Sequence, residues 1–257
     1  IIVFTTVFWA VAVIAIILRV WCRSLKGRSL VFNDYAVLVA FVFTSGLSAI
    51  LITSVVWAGA GHHVVDISPQ YRNRIFILFA AGQSSWAASN TFVKLSILHF
   101  YTVIFPSRKF RIICIAAMVI SGLYFTSVLL ETFLLCTPVQ YNWDKTISGT
   151  CSPHSQIAYI IAGATNLVID VFIVLLPMPI LWKLQISWTK KLLVMAMFSL
   201  GAVICIISLL RVINVAKLDL TDFTYACINL SIWAILEPTL GIVNACLPVF
   251  RPIASSV

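Results

Sequence analysis

The sequence predicts an all-α polytopic membrane protein. It would be a seven-transmembrane helix bundle with its N-terminus outside and its C-terminus inside. Three observations carry this expectation. Of 257 residues, 61% are apolar and only 10% are charged, against about 45–50% and about 25% in soluble domains. The apolar residues gather in seven long runs almost free of Asp, Glu, Lys and Arg. Eleven of the 17 Lys and Arg residues fall in alternate connections between those runs. A chain this poor in charge cannot cover a water-exposed surface of its size, and it is too apolar to be disordered. The alternating segments of ~10 residues that mark a membrane β-barrel are missing.

The runs predict spans at about 1–18, 35–58, 75–105, 112–135, 156–182, 192–211 and 223–250, in a single domain covering 1–257. Each is near or above the roughly 20 residues that a helix needs to cross the hydrocarbon. The first stops at Arg19, and the second at the Gly59-Ala60-Gly61 turn. The third holds Lys94 and is closed by Pro106. The fourth carries Glu131 near its end, and the fifth contains Asp170. The sixth is uncharged up to Arg211, and the seventh holds Glu237 followed by Pro238. The chain starts inside an apolar run, without a Met or a cationic leader, and reads as a piece cut to a membrane core.

Orientation follows from the cations. Arg19, Arg23, Lys26, Arg28, Arg108, Lys109, Arg111, Lys183, Lys190, Lys191 and Arg251 mark one side. The positive-inside rule makes that side cytoplasmic. The net charge of +9 is then mostly topology, and no nucleic-acid partner is expected. The lipid bilayer is the first partner, and the basic inner loops also suit anionic lipid.

Seven cysteines are present, and only Cys136 and Cys151 bracket an outer loop. That compartment is oxidising, so a disulfide is expected there. It would stabilise the chain by about 3 kcal/mol for a loop of this length. A second outer loop contains His62, His63 and Asp66, whose spacing matches no strong metal motif. No metal is expected, and the glycines read as a turn.

The ionisable residues inside the spans are the informative ones. Lys94, Asp170 and Glu237 lie 14, 13 and 14 residues before the inner cations Arg108, Lys183 and Arg251. At 1.5 Å per residue they share one depth, roughly 20 Å from that face. Charges at such a depth usually face inward and pair, so the three are expected to form a central polar cluster that is a candidate ligand site. Their formal charge is −1, which a proton or a cationic ligand would offset. Asn90 and Asn166 sit one helical turn from Lys94 and Asp170 and would extend the network. Glu131 and Arg211, each 20 residues from an inner cation, form a second depth-matched set expected near the outer boundary.

Taken in order, several motifs resemble the fungal rhodopsin-domain family, which includes pathogenicity-related GPCR-like proteins of filamentous fungi. They are Asn33-Asp34-Tyr35, Gly59-Ala60-Gly61-His62-His63, Lys94-Leu95-Ser96, Cys136-Thr137-Pro138 with Trp143-Asp144 and Cys151, and Asp170 through Pro177-Met178-Pro179. Gly201 with Ser208 and Arg211, then Glu237 through Cys246-Leu247-Pro248, complete the series. Asn33 stands where that family usually has an acid, and Val103 where a basic residue is common. The resemblance covers nearly the whole chain. It implies a GPCR-like receptor or sensor of the plasma membrane, with a heterotrimeric G protein at the inner loops and an extracellular or membrane-borne ligand.

Span seven contains no lysine, so a retinal Schiff base is not expected, and no other cofactor is implied. No nucleophile–base pair points to catalysis, and the chain reads as a non-enzyme. A proton-coupled or small-molecule transporter, or a membrane-embedded biosynthetic enzyme using Asp170 and Glu237 as acids, is the alternative.

Overall fold

A computed structural model describes residues 1–25, 27, 29–62, 68–105, 107–144, 147–152, 155–179, 188–218 and 223–250. Among the described residues there are seven α-helices: α1 (Ile2–Leu25), α2 (Phe32–Val56), α3 (Pro69–Ile104), α4 (Arg108–Leu134), α5 (Ser155–Leu175), α6 (Trp188–Ala216) and α7 (Phe223–Cys246). Helices adjacent in sequence pack together, and α7 returns against α1, α2 and α3 to close the bundle. One apolar core draws residues from every helix, among them Ala12, Val37, Trp86, Cys114, Ala162, Met197 and Ile235.

Among the described residues, six helices are long and apolar enough to cross a membrane; α3 is outside that set. At 36 residues it is the longest, but its middle turns carry Gln83, Ser84, Ser85, Ser89, Asn90, Thr91, Lys94 and Ser96. The reason is position. Helix α3 touches α2, α4, α5 and α7, and Trp86 through Thr91 are all buried. A helix wrapped by other helices faces protein, so its surface can be polar. By contrast, Ile14 and Ile17 of α1 and Ile120 and Leu123 of α4 are more than half exposed, as a lipid-facing stripe requires. Helices α3 and α7 approach closely at Gly241, where an added Cβ would lie 2.9 Å from Val93 Cγ1. Small residues permit such contacts between membrane helices.

Several boundaries differ from the sequence expectation. Helix α1 continues past residue 18 to Leu25 because its terminal cations have a buried partner. Arg19 Nε donates to Asp34 Oδ1 at 2.8 Å, Arg19 also donates to the Ala245 carbonyl, and Arg23 lies 3.1 Å from Asp34. Asp34 Oδ2 in turn accepts the Val31 N–H at 2.9 Å, capping α2. Helix α3 begins at Pro69, so Arg74 belongs to a helix and not to a loop, and its guanidinium rests over the Tyr71 ring at 5.3 Å. Helix α5 ends at Leu175, ahead of Pro177 and Pro179; each proline removes an N–H donor and disfavours helix in the residue before it. Helix α7 passes through Pro238 and gives way at Leu247–Phe250 to a 3₁₀ turn.

An all-α reading also missed two short antiparallel strands, β1 (Cys136–Thr137) and β2 (Thr150–Cys151). The expected Cys136–Cys151 disulfide joins them. At the same end of the bundle, Gly61 takes φ +109° and donates its N–H to the Thr224 carbonyl. That conformation is open to glycine and strained for other residues.

Candidate functional site

The site begins on one face of α3. Trp86, Asn90 and Lys94 are spaced four residues apart and so project from the same side. Opposite them, Asn166 and Asp170 are spaced likewise on α5, Ser208 and Arg211 share a face of α6, and Glu237 comes from α7. Lys94 Nζ lies 3.4 Å from Asp170 Oδ1 and also donates to Asn166 Oδ1. The Asn166 Nδ2 group donates to Asp170 Oδ2 at 3.0 Å and to Glu237 Oε1 at 2.6 Å. Ser208 Oγ donates to Asp170 Oδ2 at 3.3 Å. The expected cluster of Lys94, Asp170 and Glu237 is therefore one connected network with Asn166 at its centre.

A fourth charge belongs to it. Arg211 NH1 lies 3.8 Å from Glu237 Oε2, and its guanidinium stacks on the Trp86 ring, 3.3 Å from the centroid. Arg211 NH2 donates to Gln83 Oε1 at 3.1 Å, and Trp86 Nε1 donates to Glu237 Oε2 at 3.1 Å. Two cations now face two carboxylates, so the formal charge is zero and not −1. No extra proton or cationic ligand is needed to balance it. Among the described residues no ion pair joins Arg211 to Glu131, the residue expected at the same depth; Arg211 reaches Glu237 instead. Counting helix rise locates a Cα, whereas a guanidinium on a long stem reaches well past it. The Glu131 Oε1 atom is buried without a hydrogen-bond partner among the described residues.

The remaining expected residues lie elsewhere. Asn90 is buried beside the network, and its Nδ2 has no hydrogen-bond partner among the described residues. Asp144 accepts from Asn73 Nδ2 at 3.3 Å, tying the disulfide loop to α3, and Trp143 closes a 3₁₀ turn in that loop. His63 and Asp66 lie outside the described residues. Sequence reasoning missed Trp86, Gln83 and the joining of Arg211 to Glu237. The available signal was the four-residue spacing of Trp86, Asn90 and Lys94.

The network forms one end of a cavity of about 620 Å³, lined by Asn90, Lys94, Asp170 and Glu237 at that end. This falls within the ~300–1,000 Å³ typical of ligand pockets. The cavity continues past Ile97, Phe100 and Met197 to Phe105 and Pro177, away from the disulfide. Chemically, it offers an apolar sleeve with a neutral, hydrogen-bonding floor.

The chain is 28% identical over 270 residues to the polyenoic acids biosynthesis gene cluster protein Ba17b of Metarhizium anisopliae, covering 99% of this chain and 73% of that one. It is 30% identical over 195 residues to a SAT4 family membrane protein of Emericella nidulans, with 74% and 49% covered. Receptor GIN3 of Arthrobotrys oligospora is 20% identical over 249 residues, with 96% and 60% covered. The chain thus spans about half to three quarters of these relatives' lengths. No solved structure matches. The model of the fungal rhodopsin domain matches residues 18–256, and the chain belongs to that family of integral membrane proteins.

Proposed function

We propose that the chain is the transmembrane core of a receptor-like sensor in the plasma membrane, with its N-terminus outside, its C-terminus inside and no retinal. The observation that carries this is the four-charge network joining α3, α5, α6 and α7 at the floor of the cavity. A ligand in that cavity touches groups on four helices at once. If it favours a different spacing of α6 and α7, the Arg211–Glu237 contact opens and the helix shift reaches Lys190 and Lys191 in the first turn of α6 and the inner loop before them. A heterotrimeric G protein at the inner loops would read the shift. A relative named as a receptor supports this reading.

The test neutralises Lys94, Asp170 and Glu237 one at a time, measuring surface expression and nucleotide exchange on a co-reconstituted heterotrimeric G protein. The expected result is a severalfold change in basal exchange for at least one variant that still reaches the surface. Normal expression and unchanged exchange in all three would overturn the reading.

The biosynthesis-cluster name of one relative favours a second reading, a membrane-embedded enzyme or carrier acting on an apolar molecule. Product formation by the purified chain, or flux into vesicles, would establish it.

A further inference from the structure

The cavity holds two amides with unmet hydrogen bonds. Among the described residues, Asn90, 5% exposed, has no partner for its Nδ2, and Asn244, 6% exposed, has none for its Oδ1. Both line the cavity. A buried polar group without a partner is costly, so each amide favours an occupant that completes it. One lacks an acceptor and the other lacks a donor. They are also spaced along the cavity. Gly241 abuts Val93, which brings Glu237 of α7 level with the turn that holds Asn90. Asn244 is seven residues beyond Glu237, about 10 Å further along the helix.

Charge and wall chemistry narrow the occupant. The network is already balanced, Lys94 and Arg211 against Asp170 and Glu237. A charged head would add an uncompensated charge in a medium where that is costly. The wall includes Met178, Met195 and Met197, three of the chain's four methionines. Methionine is flexible and polarisable and adapts to irregular apolar shapes.

The geometry points to an uncharged, oxygenated, lipid-like ligand, an elongated apolar molecule with two hydrogen-bonding groups about 10 Å apart, one meeting Asn90 and the other Asn244. This rests on the reading of the cavity as a ligand site and adds the ligand's chemical class.

Native mass spectrometry of the whole chain in detergent tests it with four probes of equal length. They are a hexadecanediol with one terminal and one mid-chain hydroxyl, hexadecane, hexadecylamine and palmitate. The diol should bind one per chain, at least about tenfold more tightly than the other three, a difference of about 1.4 kcal/mol. Asn90→Leu and Asn244→Leu should each remove about tenfold of the diol's affinity. Palmitate or hexadecylamine binding as tightly as the diol would overturn the uncharged head while leaving a ligand site. Hexadecane binding equally would overturn the role of the two amides, and no binding at all would overturn the proposal entirely. The ranking on the unaltered chain decides the matter even if a variant fails to fold. Nucleotide exchange judges the receptor reading separately.

Discussion

Glu237 of α7 and Arg211 of α6 face each other at 3.8 Å, with the Trp86 indole touching both. Removing one member of a buried pair strands the other charge and costs about 3–5 kcal/mol. Glu237→Gln and Arg211→Met should each lower Tm by roughly 10 °C. The double variant should recover much of that loss. Thermal unfolding of the purified protein checks this, and strictly additive losses would refute the pairing.

Trp86 makes two separable contributions. Trp86→Phe keeps a ring beneath Arg211 but deletes the hydrogen bond to Glu237. It should cost about 1.5–3 kcal/mol, the usual value for a bond to a charged group. Trp86→Leu removes both contributions and should cost more. Equal unfolding midpoints for the two variants would show that the stacking counts for nothing.

At the opposite end from the disulfide, Asp34 holds two arginines of α1. Asp34→Asn should release both and loosen the last turns of α1, whereas Arg23→Gln removes the more exposed contact alone. Hydrogen exchange over residues 17–25 should rise sharply in the first variant and little in the second.

The Cys136–Cys151 disulfide closes a 15-residue separation. Cys136→Ser should cost about 3 kcal/mol in the chain-entropy model. In intact cells, a membrane-impermeant maleimide should label the part-exposed Cys151 after reduction and leave the buried Cys22 and Cys246 unlabelled. Labelling of Cys151 only in inverted vesicles would reverse the proposed orientation.

Much of the bundle was legible because lipid imposes a simple demand: outward faces must be apolar over a fixed length. That demand revealed α1, α4 and α6. It was weakest at α3, which meets protein on most sides, and it could not foresee that α1 would continue through Arg19 and Arg23, since the reason is a single aspartate on the next helix. The depth arithmetic correctly grouped Lys94, Asp170 and Glu237. It did not reveal the contact of Arg211 with Glu237, because a backbone position says little about where a long cationic side chain ends. Asn166 was found through its one-turn spacing from Asp170, whereas Gln83 carries no signal apart from its neighbours.

Asn166 offers its carbonyl to one cation and its amino group to two carboxylates. Turning that amide by half a revolution would set like against like at all three contacts together. The residue therefore behaves as a latch with a single seated position, and the helices it joins should hold or release as a unit, giving the bundle a threshold in place of a graded response.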